Sequence, residues 1–233
     1  MNINDIFYSL SGETGVFIPQ GMPTIFIRTG GCNLRCHYCD TKTTQETNSG
    51  TEMKIEDVVQ RALELTKRGT IRHFLFTGGE PLLQMKEVEE CIIQIKDWFE
   101  ELGEEAQEPW FQIETNGTIQ PSVSLQEEEN VSMMYDYKLD RHEKKDGMPV
   151  ALPVWEFANP WDCIKIPVED YSQLPLVNEI INNIRSFCID ESIQIAVSPI
   201  APMEAKHLLK WLRFNKHGSV IINVQIHKMV HVA

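Results

Sequence analysis

The chain has 233 residues, a formal net charge of −13 and ordinary globular proportions of apolar and charged residues. That length suits one large domain with its own core, and the acidic balance argues against nucleic acid or an anionic membrane as a partner. No run approaches the ~20 apolar residues that span a bilayer, and MNINDIFYSL lacks the basic and apolar regions of an export signal, so a cytoplasmic location is expected.

In chain order the pattern alternates strand and helix. PTIFIR (23–28) reads as the first strand, bounded by Pro23 and by Gly30-Gly31. Residues 52–68 read as a helix with Ile55, Val58, Val59, Ala62, Leu63 and Thr66 on one face, stopped at Gly69. RHFLFTGG (72–79) is strand then glycine loop, and Val88, Cys91, Ile92, Ile95 and Phe99 mark a second helix. WFQIET (110–115), SMMYDYK (132–138), CIKIP (163–167), IQIAVS (193–198) and SVIINVQI (219–226) read as further strands. Val177, Ile180, Ile181 and Ile184 mark a helix between them, and 203–214 another. Such alternation predicts an α/β fold with a parallel sheet and crossover helices. Nothing divides the chain, so 1–233 is expected to be a single domain, with surface insertions near 100–109 and 139–160, where acidic residues and turn signals concentrate.

GGCNLRCHYCDT sets Cys32, Cys36 and Cys39 at C-x3-C-x2-C and uses half of the six cysteines. In a reducing compartment, clustered cysteines bind metal or do chemistry more often than they form disulfides. On a helix the three would share one buried face, but the glycines before them and Asn33 and Asp40 among them favour a loop. Cys3His zinc ligation with His37 is open, as is an iron–sulfur cluster with three thiolate ligands. The loop follows a strand of a parallel sheet, where active sites gather. A second glycine loop, FTGGEPLLQ (76–84), follows the next strand; Glu80 and Pro81 suit a helix start, and bare glycine backbone permits close approach by a ligand.

The cysteine spacing, joined to GGEP after the second strand, resembles the radical S-adenosylmethionine (radical SAM) superfamily. FYSLSGETG (7–15), CDT (39–41), IETNGT (113–118) and VQIHKMV (224–230) together resemble one family within it, the 7-carboxy-7-deazaguanine synthases. Glycyl-radical activating enzymes are the alternative within the superfamily. The resemblance implies a partial, modified (β/α)6 barrel carrying a 4Fe-4S cluster, S-adenosyl-L-methionine and Mg2+. It implies a lyase that contracts 6-carboxy-5,6,7,8-tetrahydropterin to 7-carboxy-7-deazaguanine with loss of ammonia, on the way to queuosine-type 7-deazapurines. The remaining implied partners are an electron donor such as flavodoxin or ferredoxin and a second copy of the chain in a homodimer.

Residue by residue, the resemblance assigns Cys32, Cys36 and Cys39 to the cluster and Thr41 to magnesium. Tyr38, Cys39, Asp40, Gly79, Glu114, Tyr137, Lys138 and Ser198 fall to the cofactor. Leu10, Ser11, Gly12, Glu13, Arg28 and Thr77 fall to the substrate. The chemistry is suitable: a carboxylate at 13 can accept paired N–H groups of a guanine-like edge, and the Arg28 fork can meet a carboxylate. Asn116 is a further candidate for cofactor or substrate contact. The family commonly has glutamine where Ser11 stands; a shorter hydroxyl needs a bridging water or a shifted ligand. His227 reads as a packing residue in a strand, and Cys91, Cys163 and Cys188 as core cysteines.

Overall fold

The runs PTIFIRT, HFLFTG, WFQIET, VSMMYD, CIKIPV and QIAVSP are rich in β-branched, aromatic and other large apolar residues, and each is a strand. Strands covered on both faces need no polar alternation. The structure, a computed structural model, describes residues 1–103, 106–141, 149–187 and 193–230, without the side chains of 227 and 228. In chain order the elements are β1 (Asn2–Leu10), β2 (Pro23–Thr29), β3 (Thr51–Glu52), α1 (Ile55–Leu65), β4 (His73–Gly78), α2 (Met85–Glu101), β5 (Trp110–Thr115), α3 (Val123–Glu127), β6 (Val131–Asp136), β7 (Cys163–Val168), α4 (Leu174–Phe187), β8 (Gln194–Pro199), α5 (Ala205–Phe214), β9 (Ile221–Ile222) and α6 (Ile226–Val230).

The strands form one sheet in the order β3-β1-β2-β4-β5-β6-β7-β8-β9. From β2 to β9 every neighbouring pair is parallel; β1 runs antiparallel to both β2 and β3. The α/β expectation is therefore met, with a mostly parallel sheet.

Alternation along each strand divides two faces. Ile25, Ile27, Phe74, Phe76, Phe111, Ile113, Ile164 and Ile166 belong to the main core, into which the helices set their apolar stripes: Val58, Val59 and Ala62 from α1, Val88, Cys91, Ile92, Ile95 and Phe99 from α2, Val177, Ile180, Ile181 and Ile184 from α4. Each such side chain taken fully out of water contributes roughly 1.5–3 kcal/mol. The opposite face carries a small apolar floor of Met134, Cys163 and Ala196 with Ile221 against it. Beyond that floor, toward the carboxyl ends, the same face turns polar. The sheet curls so that its two margins meet: the Thr14 amide in the loop after β1 donates to Asn223 Oδ1 just after β9 at 2.8 Å.

Three sequence expectations need correction. Residues 2–10 form β1, so the FYSLSGETG segment begins inside a strand. The 219–226 stretch is strand only at Ile221–Ile222 and turns into α6 at Ile226, so residue 227 lies in a helix rather than a strand. The 139–160 segment is not wholly a surface insertion: Leu139, Ala151, Val154 and Trp155 are buried in the core. Cys91 and Cys163 are buried as expected. Cys188, residues 104–105 and 142–148 of the expected insertions, and the side chain of His227 lie outside the described residues.

Candidate active site

Three loops at the carboxyl ends of the parallel strands build one wall of the site. After β2 the chain turns at Gly30-Gly31 and runs through the three cysteines to Thr41, after which a short 3-10 helix begins at Lys42. The GGEP loop after β4 lies against this segment. A Cβ on Gly79 would sit 1.9 Å from the Gly31 carbonyl oxygen, and Gly78 has φ +117, so two glycines allow the two loops to touch. Glu80 N-caps the next turn with Pro81 behind it, as its sequence suggested. Its fully buried carboxyl accepts from the Leu82 amide at 3.0 Å, Thr115 Oγ1 at 2.9 Å and the Asn116 amide at 2.7 Å. Burial pushes Glu80 up to about 7 against these bonds. Asn116 in turn donates to Asn33 Oδ1 at 2.8 Å and lies 3.9 Å from Cys32 Sγ. The loop after β5 thus braces the cysteine loop.

Cys32, Cys36 and Cys39 are all free thiols and line one cavity of about 420 Å3. Burial raises Cys32, and raises Cys36 to about 11. His37 faces away: its Nε2 bonds Glu169 Oε1 at 2.7 Å, and the side chain is 71% exposed. The zinc alternative that needs His37 beside the thiols is not the arrangement adopted. The donor set is three half-buried thiols facing a cavity of small-molecule size. That fits three thiolates on an iron–sulfur cluster with room for a ligand beside it. Tyr38 also lines the cavity, with the Lys138 ammonium 5.3 Å over its ring. Asp40 and Thr41 open on the same space, the Thr41 hydroxyl donating to Asp40 Oδ1 at 3.1 Å.

The polar layer of the sheet supplies the far wall. Thr77 Oγ1 donates to Glu114 Oε2 at 2.5 Å. Burial, then the Glu13 charge, raises Glu114 to about 7. Asp136 meets the Lys138 ammonium at 2.7 Å and the Lys165 ammonium at 3.1 Å. Burial opposes charge at Asp136, but the two lysines outweigh it and its carboxyl lies below the usual range. Burial alone would lower Lys165; Asp136, Glu13 and Glu114 reverse this and raise it. Glu13 enters from the loop after β1 and pairs with Lys165, while Gln225 Nε2 donates to Glu13 Oε1 at 2.8 Å and to Asp40 Oδ2 at 3.2 Å. Ser198 is tied to Asn223 at the rim.

Twelve expected site residues come together here: Glu13, Cys32, Cys36, Tyr38, Cys39, Asp40, Thr41, Thr77, Gly79, Glu114, Lys138 and Ser198 all line the cavity, as does Asn116. Five do not. Tyr137 alternates to the core side and packs on Trp155 with ring centroids 5.6 Å apart. Ser11 is buried and turns its hydroxyl to the Glu13 carbonyl at 3.0 Å, closing its own loop. Gly12 gives its carbonyl to the Ile226 amide, and Leu10 ends β1. Arg28 lies over the Phe7 ring at 4.7 Å, with its buried Nε lacking a hydrogen-bond partner among the described residues. Asp136, Lys165 and Gln225 line the cavity unforeseen; a lone lysine inside the apolar strand CIKIPV was the one available signal.

Residues 26–141 match the family model described as the Radical SAM superfamily. This segment holds the cysteine loop, the GGEP loop and the Asn116 loop, and the chain belongs to the radical SAM superfamily. Over 225 residues it is 29% identical to the 7-carboxy-7-deazaguanine synthase of Clostridium acetobutylicum, covering 96% of this chain and 93% of that protein. The protein of the same name from Leptospira interrogans is 28% identical over 98% of this chain and 94% of its own length. The Pyrobaculum aerophilum protein of that name reaches 37% identity over 54% of this chain and 50% of its own. Among solved structures, a radical SAM methyltransferase from Sphaerobacter thermophilus shares the fold with TM-score 0.52 at 10% identity, over 86% of this chain and 65% of that longer one.

Proposed function

We propose that this chain is a 7-carboxy-7-deazaguanine synthase, a lyase that contracts 6-carboxy-5,6,7,8-tetrahydropterin with loss of ammonia. The observation that carries the reading is the near end-to-end similarity to curated proteins of that name, joined to Glu13 entering the cavity that the three cysteines line. Cys32, Cys36 and Cys39 would hold the 4Fe-4S cluster, and S-adenosylmethionine would lie beside Tyr38, Gly79 and Lys138. When bound, these two groups supply the radical that abstracts hydrogen from the substrate.

The chain's own side chains do the rest. Glu13 accepts the paired N–H donors of the pterin's guanine-like edge. By resemblance Arg28 would meet the substrate carboxylate, which requires its guanidinium to leave the Phe7 ring for the cavity. Thr77 donates to Glu114, which is placed to exchange a proton near neutral pH, as departure of ammonia requires. Asp40 and Thr41 offer hard oxygen ligands for Mg2+, with substrate and water oxygens completing the set. The free thiols suit the reducing cytoplasm, and a one-electron donor such as flavodoxin or ferredoxin completes the reaction; a homodimer is expected by resemblance. Among the described residues no helix is long and apolar enough to cross a membrane.

The test is an anaerobic assay of reconstituted, reduced protein with S-adenosylmethionine, Mg2+ and 6-carboxytetrahydropterin, following product by mass. Formation of 7-carboxy-7-deazaguanine over many turnovers, without matching consumption of S-adenosylmethionine, is the expected result. Cleavage of S-adenosylmethionine with no pterin-derived product would refute the substrate.

A further inference from the structure

Lys165 is the only charged residue of β7, and only 5% of its surface is exposed. A buried ammonium is costly unless carboxylates surround it. Two do so directly. One is Asp136, on the adjacent strand at 3.1 Å. The other is Glu13, 152 residues away in sequence, on the loop after β1. In the sheet, β7 stands five strands from β1. The loop after β1 closes against the chain after β9, so the Lys165–Glu13 contact joins the two margins of the sheet rather than neighbours in a ladder. Glu114 faces the same ammonium, and Lys138 shares the same oxygen of Asp136, Oδ2.

Glu13 needs such a partner. It sits on a loop, and loops place side chains less accurately than strands unless they are tied. Its carboxylate is gripped from both sides, by Lys165 on Oε2 and by the Gln225 amide on Oε1 at 2.8 Å. The Gln225 bond comes from the rim and is shared with Asp40; the Lys165 bond comes from the rigid sheet. Lys165 thus joins the loop assigned to substrate recognition to Asp136, whose other partner, Lys138, stands over Tyr38 in the cysteine loop.

We propose that Lys165 is a positioning residue that fixes the Glu13 carboxylate in the cavity and couples it to Asp136, so that recognition of the substrate's N–H edge depends on a charge carried by β7. The inference rests on the proposed pterin substrate for its kinetic readout but not for its structural one. Lys165→Met keeps the apolar stem and removes the charge. It should raise KM for the pterin about tenfold or more and change kcat less than about threefold, the pattern of lost ground-state binding. With Glu13→Gln already present, Lys165→Met should cost no more than about a further twofold, because the pair acts as a unit. Lys165→Arg should recover part of the loss. Hydrogen exchange on the unreconstituted full chain should show faster exchange at residues 11–20 in Lys165→Met, with β5 to β8 unchanged. Glu13→Gln should give the same exchange pattern and serves in its place if Lys165→Met does not fold. Multiplying losses in the double variant, or unchanged exchange at 11–20, would overturn the assignment. A wild-type protein that yields no product from the pterin refutes the substrate reading alone, and the exchange comparison still decides the role of Lys165.

Discussion

Glu80 offers the sharpest test of how the site is built. Its side chain is wholly buried and serves three donors: the Leu82 amide, the Thr115 hydroxyl and the Asn116 amide. In Glu80→Ala the Thr115 hydroxyl can rotate toward another acceptor, but the two backbone N–H groups cannot. Each buried donor left unsatisfied costs about 1–3 kcal/mol, so the loss should be about 2–6 kcal/mol. For a chain of this size each kcal/mol lowers Tm by about 2–4 °C, which puts the fall between roughly 4 and 24 °C. Glu80→Gln keeps one acceptor oxygen and should fall between wild type and alanine. The damage should also travel: Asn116, released at its amide, no longer holds Asn33 and Cys32 in place. Iron bound after reconstitution should therefore drop in Glu80→Ala and partly recover in Glu80→Gln. Calorimetry and iron analysis on the three proteins provide the check. A Tm change below 2 °C, or full iron loading in the alanine variant, would refute the view that this carboxyl braces the cysteine loop.

Three further outcomes are expected. Gly79→Ala puts a methyl group into the Gly31 carbonyl; it should cost about 1–3 kcal/mol or more by overpacking, read as a lower urea midpoint. Glu114 is raised in the folded state to about 7 by burial and by Glu13, while the unfolded chain titrates near the ordinary carboxyl value. Between those values the folded state holds the extra proton, so this group's contribution to stability is present at low pH and is lost as pH rises through about 7. Glu114→Gln should therefore flatten the decline of urea stability between pH 5.5 and 7.5, and parallel curves would contradict this. Thr41→Ala removes a cavity hydroxyl beside Asp40; cluster content should be retained while the Mg2+ concentration for half-maximal activity rises, and an unchanged magnesium response would remove Thr41 from that role.

β2 and the strands from β4 to β8 were legible because each is a dense apolar run; the two-residue β3, polar and exposed, was not, and Glu52 reads as the start of the helix. Nor was β1, and its register explains why. A shift between Ile3 and Asp5 breaks the period of two, so buried Ile3 and Ile6 stand three apart and show no alternation. The 219–226 run failed in the opposite way. VIINVQI has strand composition, but the buried Asn223 spends its side chain on Thr14, Gln20 and Ser198 instead of extending an edge. The cysteine and glycine loops were readable because all their ligand-type residues lie within a few positions of one another. Lys165 and Gln225 were hidden because the partner that gives each its meaning, Glu13, is at the other end of the sequence. Tyr137 was misplaced by one position: neighbouring residues face opposite ways, and only Asp136 and Lys138 look into the cavity.

The meeting of Thr14 with Asn223 spans 209 residues. Closing a loop that long is entropically expensive until the sheet has brought its margins together, so this contact cannot guide folding and can only follow it. The bonds across this seam are polar: Thr14 and Gln20 to Asn223, Gln20 to the Val224 carbonyl, the Ile226 amide to Gly12, and Gln225 and Lys165 to Glu13. They can break without exposing the apolar stripes of α1, α2 and α4. The seam between the loop after β1 and the segment after β9 is therefore a late closure, set on a sheet whose strands already pair without it.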